Sequence, residues 1–166
     1  MTLREITEDW AAQHPRILHD PNTNKRFHLI ENGFSRVADF TRSLGENESP
    51  CILWDLMDDG YSFTEEGKVS IKRIIYFCAQ AEEGTNLPDS MPSVERAIAE
   101  CHKLVNEFRN YIRKEQDKDH PRKDFMGIDL AWDVFPYGPL YNGWYAVGVT
   151  IDSVETVNLC EDPIEQ

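Results

Sequence analysis

Between Pro92 and Lys118 the residues Val94, Ala97, Ile98, Cys101, Leu104, Val105, Phe108, Tyr111 and Ile112 return at steps of three and four. That spacing lines one face of an α-helix. Glu95, Arg96, Glu100, Lys103, Glu107, Arg109, Arg113 and Lys114 take the other face. A helix divided in this way is unstable alone in water and needs an apolar surface to lie on. The strand-like runs before and after it offer one, so the chain is expected to form an α+β fold with one long helix packed on an antiparallel sheet.

The strands follow from composition and alternation. Pro50 to Met57 is a compact apolar run after a proline, and Lys68 to Ala81 is rich in β-branched and aromatic residues, so the two are expected to pair as a first hairpin. Phe125 to Phe135 and Trp144 to Leu159 are expected to make a second hairpin, joined by a wide turn from Pro136 to Gly143. Within the last strand Trp144, Ala146, Gly148 and Thr150 alternate with Tyr145, Val147, Val149 and Ile151, as two different sheet faces require. Leu3, Ile6 and Trp10 mark a first short helix capped by Thr2, and Gly33 to Leu44 a second that stops at Gly45. The order is helix, helix, hairpin, long helix, hairpin. At 166 residues this fits one domain, with residues 1–30 as an arm, Glu82 to Ser90 as an acidic loop, and 160–166 as a flexible acidic tail.

Several function classes are disfavoured by the totals. A net charge of -13 repels duplex DNA, whose binders carry a basic stripe. Acidity instead suits a surface that nucleic acid passes without sticking, or a decoy that imitates DNA to a basic protein. No run approaches the ~20 apolar residues of a membrane span, and the first ten residues lack the basic segment and apolar run of a secretory signal. A cytoplasmic site of synthesis and folding is expected.

Catalytic and metal-binding patterns are scarce. Cys51, Cys78, Cys101 and Cys160 show no paired spacing and read as reduced core residues. His14, His19, His28, His102 and His120 include no pair at helical metal-ligand spacing, and His14 and His19 read as exposed loop residues. Asp55, Asp58, Asp59, Glu65 and Glu66 surround a turn without the spacing of a calcium loop and read as solvated. No phosphate loop or nucleophile elbow is present. Neither cofactor nor metal is expected, and an enzyme would need a site gathered from scattered residues. What stands out is an aromatic turn in which Trp132, Phe135, Tyr137, Tyr141, Trp144 and Tyr145 crowd around two prolines and two glycines. Such rings serve as interface anchors, or they fold back over the open end of their own core.

In its order of elements the chain resembles the tail terminator and tail completion (head-tail connector) proteins of long-tailed bacteriophages, and the small uncharacterised proteins of phage and prophage tail clusters. The matching pieces are Pro50 to Met57 with Lys68 to Ala81, Pro92 to Lys118, and Phe125 to Phe135 with Trp144 to Leu159, the last strand opened by Gly143-Trp144-Tyr145. The resemblance implies a structural protein of the virion, assembled in the host cytoplasm without catalysis. Its copies would form a ring, commonly a hexamer, that meets tail-tube and head-tail connector proteins and passes DNA through its lumen without specific binding. Trp10 of the arm and Trp132, Phe135, Tyr137, Tyr141 and Trp144 of the turn are the candidate interface residues. The rival expectation is an acidic DNA mimic that inhibits a nucleic-acid-binding protein.

Overall fold

The long β4 (Val69–Gln80) and β6 (Trp144–Glu155) form the spine, paired antiparallel along twelve residues from Val69 opposite Glu155 to Gln80 opposite Trp144. The computed structural model describes residues 1–31, 33–45, 48–56, 60–81 and 87–155, with only the backbone at 33–36, 61 and 87–92. β2 (Cys51–Asp55) and β3 (Gly60–Phe63) lie in succession on the other side of β4, β2 against its C-terminal half and β3 against its N-terminal half. β1 (Phe27–Ile30) pairs with β2, and β5 (Asp133–Tyr137) with β6, so the sheet runs β1-β2-β4-β6-β5.

The fold is α+β with six strands, but the sheet is mixed rather than antiparallel throughout. β1 and β2 run parallel, Phe27 opposite Ile52 and Ile30 opposite Asp55. Parallel neighbours need a crossover, and α2 (Gly33–Thr41) supplies it between them. β1 thus joins the sheet as a strand outside the two expected hairpins.

Nor do residues 1–30 form an arm. In α1 (Leu3–Gln13) the Thr2 hydroxyl accepts from the Glu5 amide at 3.3 Å while the Glu5 carboxylate accepts from the Thr2 amide at 2.7 Å, a capping box that fixes the helix start. The Thr2 amide first, and then the Thr2 hydroxyl donating to the same carboxylate at 3.2 Å, hold the Glu5 carboxyl below its ordinary value. Leu3, Ile6, Trp10 and Ala11 are then buried, as are Ile17, Phe27 and Ile30 further along. The reason is the apolar stripe of α1, which has the same need for cover as that of the long helix.

Both faces of the sheet are covered, which is why all five residues of β2 are buried and the first four, Cys51 to Trp54, read as one continuous apolar run. On one face α1 and α3 (Leu87–Gln116) pack over Ile52, Trp54, Ile75, Phe77, Val147, Val149 and Ile151. At its centre the Trp10 ring lies 4.9 Å from Phe108 and 6.2 Å from Phe77. The opposite face gathers Cys51, Leu53, Tyr76, Cys78, Trp144 and Ala146 under Val37 of α2 and Leu44. Alternate residues of each strand thus serve different cores.

The expected strand over Phe125 to Phe135 is mostly something else. α4 (Lys123–Met126) occupies its start with Phe125 buried, Ile128 makes a single bridge to Ser153, and regular pairing begins only at Asp133. Side chains of α3 claim the carbonyls that a strand would use: Gln116 Nε2 donates to the Phe125 and Ile128 carbonyls at 2.7 and 2.9 Å, and Arg109 Nε to Leu130 at 2.8 Å. α3 itself begins at Leu87, before Pro92, so residues 87–90 of the expected acidic loop are helical; residues 82–86 and the 160–166 tail lie outside the described residues.

Candidate interaction surfaces

Exposed apolar side chains occur on both outermost strands, as they do at Leu18, at Phe63 of β3, at Met126 of α4 and at Val154 of β6. On β1 Leu29 is 47% exposed, and with Leu56, Phe40 and Ile30 it lines a hollow of about 450 Å³ rimmed by Glu31 and Asp39. At the far edge of the sheet Val134 and Phe135 of β5 are 43% and 38% exposed, with Ile98 of α3 exposed as well. Val134 stands opposite Val149 and Phe135 opposite Gly148, so β5 presents an apolar residue on each face of the sheet. Beneath it a cavity of about 180 Å³ lies between α3 and the β5–β6 pair, lined by Ile98, Cys101, Pro136, Tyr137 and Tyr145 among others.

The six residues singled out by sequence separate into three groups. Trp10 and Trp144 are inside the subunit, 7% and 0% exposed; each is a core residue of its own face and offers no ring to a neighbour. Trp132 is half-buried, its ring 5.7 Å from Phe108 and its Nε1 donating to the Asp129 carbonyl at 2.6 Å. Tyr137, also half-buried, meets Tyr76 edge-on at 5.4 Å. Phe135 and Tyr141 remain exposed, Tyr141 under the Arg42 guanidinium at 3.7 Å. The turn is therefore folded back over its core at Trp132, Tyr137 and Trp144 and open at Phe135 and Tyr141. Leu29, Leu56, Ile98 and Val134 were not marked by sequence; the adjacent pair Val134-Phe135, which breaks the apolar-polar alternation of a half-buried strand, is the one local signal.

A polar feature was also missed, because His14 and His19 are buried rather than exposed in a loop, and His28 on β1 is buried as well. His14 Nε2 meets the Glu107 carboxylate at 2.9 Å, while Nδ1 accepts from the Arg16 amide at 3.3 Å. Arg16 Nη2 donates to the same carboxylate at 2.6 Å, and its Nε stands 2.5 Å from Glu100 Oε1, an ion pair without hydrogen-bond alignment. Burial pulls the Glu107 carboxyl upward, but the hydrogen bonds from His14 and Arg16 and the Arg16 charge outweigh it and hold the group below its ordinary value. His19 Nδ1 accepts two backbone amides, Arg26 at 2.9 Å and Phe27 at 3.1 Å, and Nε2 lies 3.5 Å from Glu8 on α1. His28 packs on Phe40, and burial keeps its imidazole below 6.5 despite Glu48 at 3.9 Å.

Chemistry of other kinds finds few footholds among the described residues. None of them forms a group of three or more His, Cys, Asp and Glu able to hold a metal ion. A hollow of about 690 Å³ between the 64–68 turn and the α4 region is lined by Thr64, Glu65, Glu66, Lys68, Lys123 and Met126 among others. Asp55, read as part of a solvated turn, is buried at the end of β2; Asp58 and Asp59 lie outside the described residues. Burial pushes the Cys78 thiol well up and that of Cys101 up to about 12, and Cys51, Cys78 and Cys101 are all free and buried. Among the described residues no helix is long and apolar enough to cross a membrane. No protein-family model and no curated protein sequence matches the chain.

Proposed function

We propose that this protein is a structural subunit of a phage or phage-like tail, one that caps the tail tube or joins tail to head by assembling head-to-tail into a ring. The observation that carries this reading is the placement of exposed apolar residues on opposite outermost strands, Leu29 on β1 and Val134 with Phe135 on β5. The two patches differ in residues and in shape, which suits a heterologous contact in which one face meets a different face of the next copy. Their direction fits too. From the pairing senses β1 and β5 run oppositely, so a neighbour brought alongside without being turned over presents β5 antiparallel to β1.

Pro136 in β5 has no N–H to offer a further strand. Proline on an edge strand guards against open-ended sheet growth, and the contact would then rest on side chains, with closure set by their packing. The tail assignment draws on the resemblance in element order: early helices, a hairpin, a long helix on the sheet and a closing hairpin. The net charge of -13 supports a lumen past which DNA moves without being held. Its place would be the virion, and the host cytoplasm during assembly.

Mass measurement across a concentration series, with and without tail-tube protein, tests the proposal. Discrete multiples of the 19.2 kDa chain are expected, reduced to single chains by Leu29→Asp or by Phe135→Asp alone. Single chains under every condition would overturn it.

A further inference from the structure

We propose that the segment from His14 to His28 contains a proton-operated latch, in which protonation of His19 removes the acceptor that holds the 19–26 loop closed on the start of β1. His19 is buried, and its Nδ1 receives two amide N–H groups, from Arg26 and Phe27. A nitrogen that accepts those bonds carries no proton, so the neutral ring bears its hydrogen on Nε2. In the imidazolium both nitrogens are donors. The Nδ1 proton would then face two amide protons, and the clasp cannot persist in that geometry.

The charged form has somewhere to go. Glu8 on α1 stands 3.5 Å from Nε2, which has no hydrogen-bond partner in the described structure. A ring turned toward Glu8 exchanges two amide donors for one carboxylate. Other titratable groups near His19 include Asp20 in its own turn, which favours the cation, and His28 on β1, which opposes it when charged, while Arg26 meets the ring through its backbone amide. Arg26 is itself tied to the Ser49 carbonyl at 2.6 Å and to Asn24 at 2.9 Å, so the amides, not the loop's outer ties, are what the ring releases. His14 and His28 flank the latch but each has its own partners, Glu107 with Arg16 and Glu48 with Phe40. The latch belongs to the folded subunit and needs no assembly.

Amide hydrogen exchange by NMR on the full chain reads this directly, once rates are corrected for the intrinsic effect of pH. From neutral to mildly acidic pH, protection of the Arg26 and Phe27 amides should fall roughly tenfold or more relative to Ile75 and Phe77 in β4. His19→Asn, whose side-chain oxygen can accept in place of Nδ1 without titrating, should keep protection at both pH values. His19→Ala should lack it at both. The proposal is overturned if wild-type protection at Arg26 and Phe27 is independent of pH, if it falls only together with the β4 amides, or if His19→Asn retains the pH dependence. Should neither variant fold, the wild-type comparison with β4 still decides.

Discussion

Tyr137 lies over Gly148, and a Cβ built on that glycine would come within 2.6 Å of the Tyr137 ring and 3.3 Å of the Tyr76 ring. The absent side chain on β6 lets Tyr137 of β5 and Tyr76 of β4 meet edge-on across it. Gly148→Ala is expected to destabilise the fold by about 1–3 kcal/mol through overpacking. Pairing it with Tyr137→Ala should recover part of that loss, since the displaced ring is gone. Denaturant midpoints of the single and double variants measure both.

Trp10 separates a core role from an interface role. Its ring is enclosed by Phe77 and Phe108, and truncating such a residue leaves a cavity in a close-packed interior. Trp10→Ala should therefore cost about 3–5 kcal/mol in the isolated subunit. A loss of association with unchanged subunit stability would return Trp10 to the surface. Equilibrium unfolding at a concentration where the chain is single distinguishes the two.

Acid should weaken the fold in two separable steps. His28 is buried with its folded-state value depressed below 6.5, so below that pH the unfolded chain binds the extra proton more readily and stability falls as pH drops through the window beneath 6.5. Glu107 is depressed below 4.5 by its His14 and Arg16 partners; its contribution is complete above that value and is lost as pH falls below it. His28→Leu should reduce the first step and leave the second in place. Unfolding free energy measured against pH for both chains tests the assignment.

The long helix, the α1 cap and the two spine strands were legible because each is written locally: an apolar stripe at helical spacing, Thr2 three residues before Glu5, and β-branched runs. What escaped notice depends on distant partners. The parallel pairing of β1 with β2 needs α2 to be recognised as a crossover. The helical turn at Lys123–Met126 is held by Gln116 from α3. Gly127 sits where a Cβ would meet the Val154 carbonyl at 2.3 Å, a tertiary approach that nothing around Gly127 in the sequence announces. The aromatic turn was visible as composition, but which rings faced inward was not. Trp144 is buried because it begins β6 on the face shared with Tyr76 and Cys78, whereas Phe135, one strand outward, has no layer above it. The buried histidines were missed for a similar reason, since Glu107 is 93 residues from His14.

Head-to-tail assembly through two different faces is tested most directly by mixing the two face variants. Leu29→Asp keeps the β5 face and Phe135→Asp keeps the β1 face, so neither alone can propagate, but each can cap the other. Native mass spectrometry of the mixture should show a heterodimer of one copy of each, with no larger species, while each variant alone stays single. A mixture that remains entirely single, when wild-type chain under the same conditions assembles, would contradict the account.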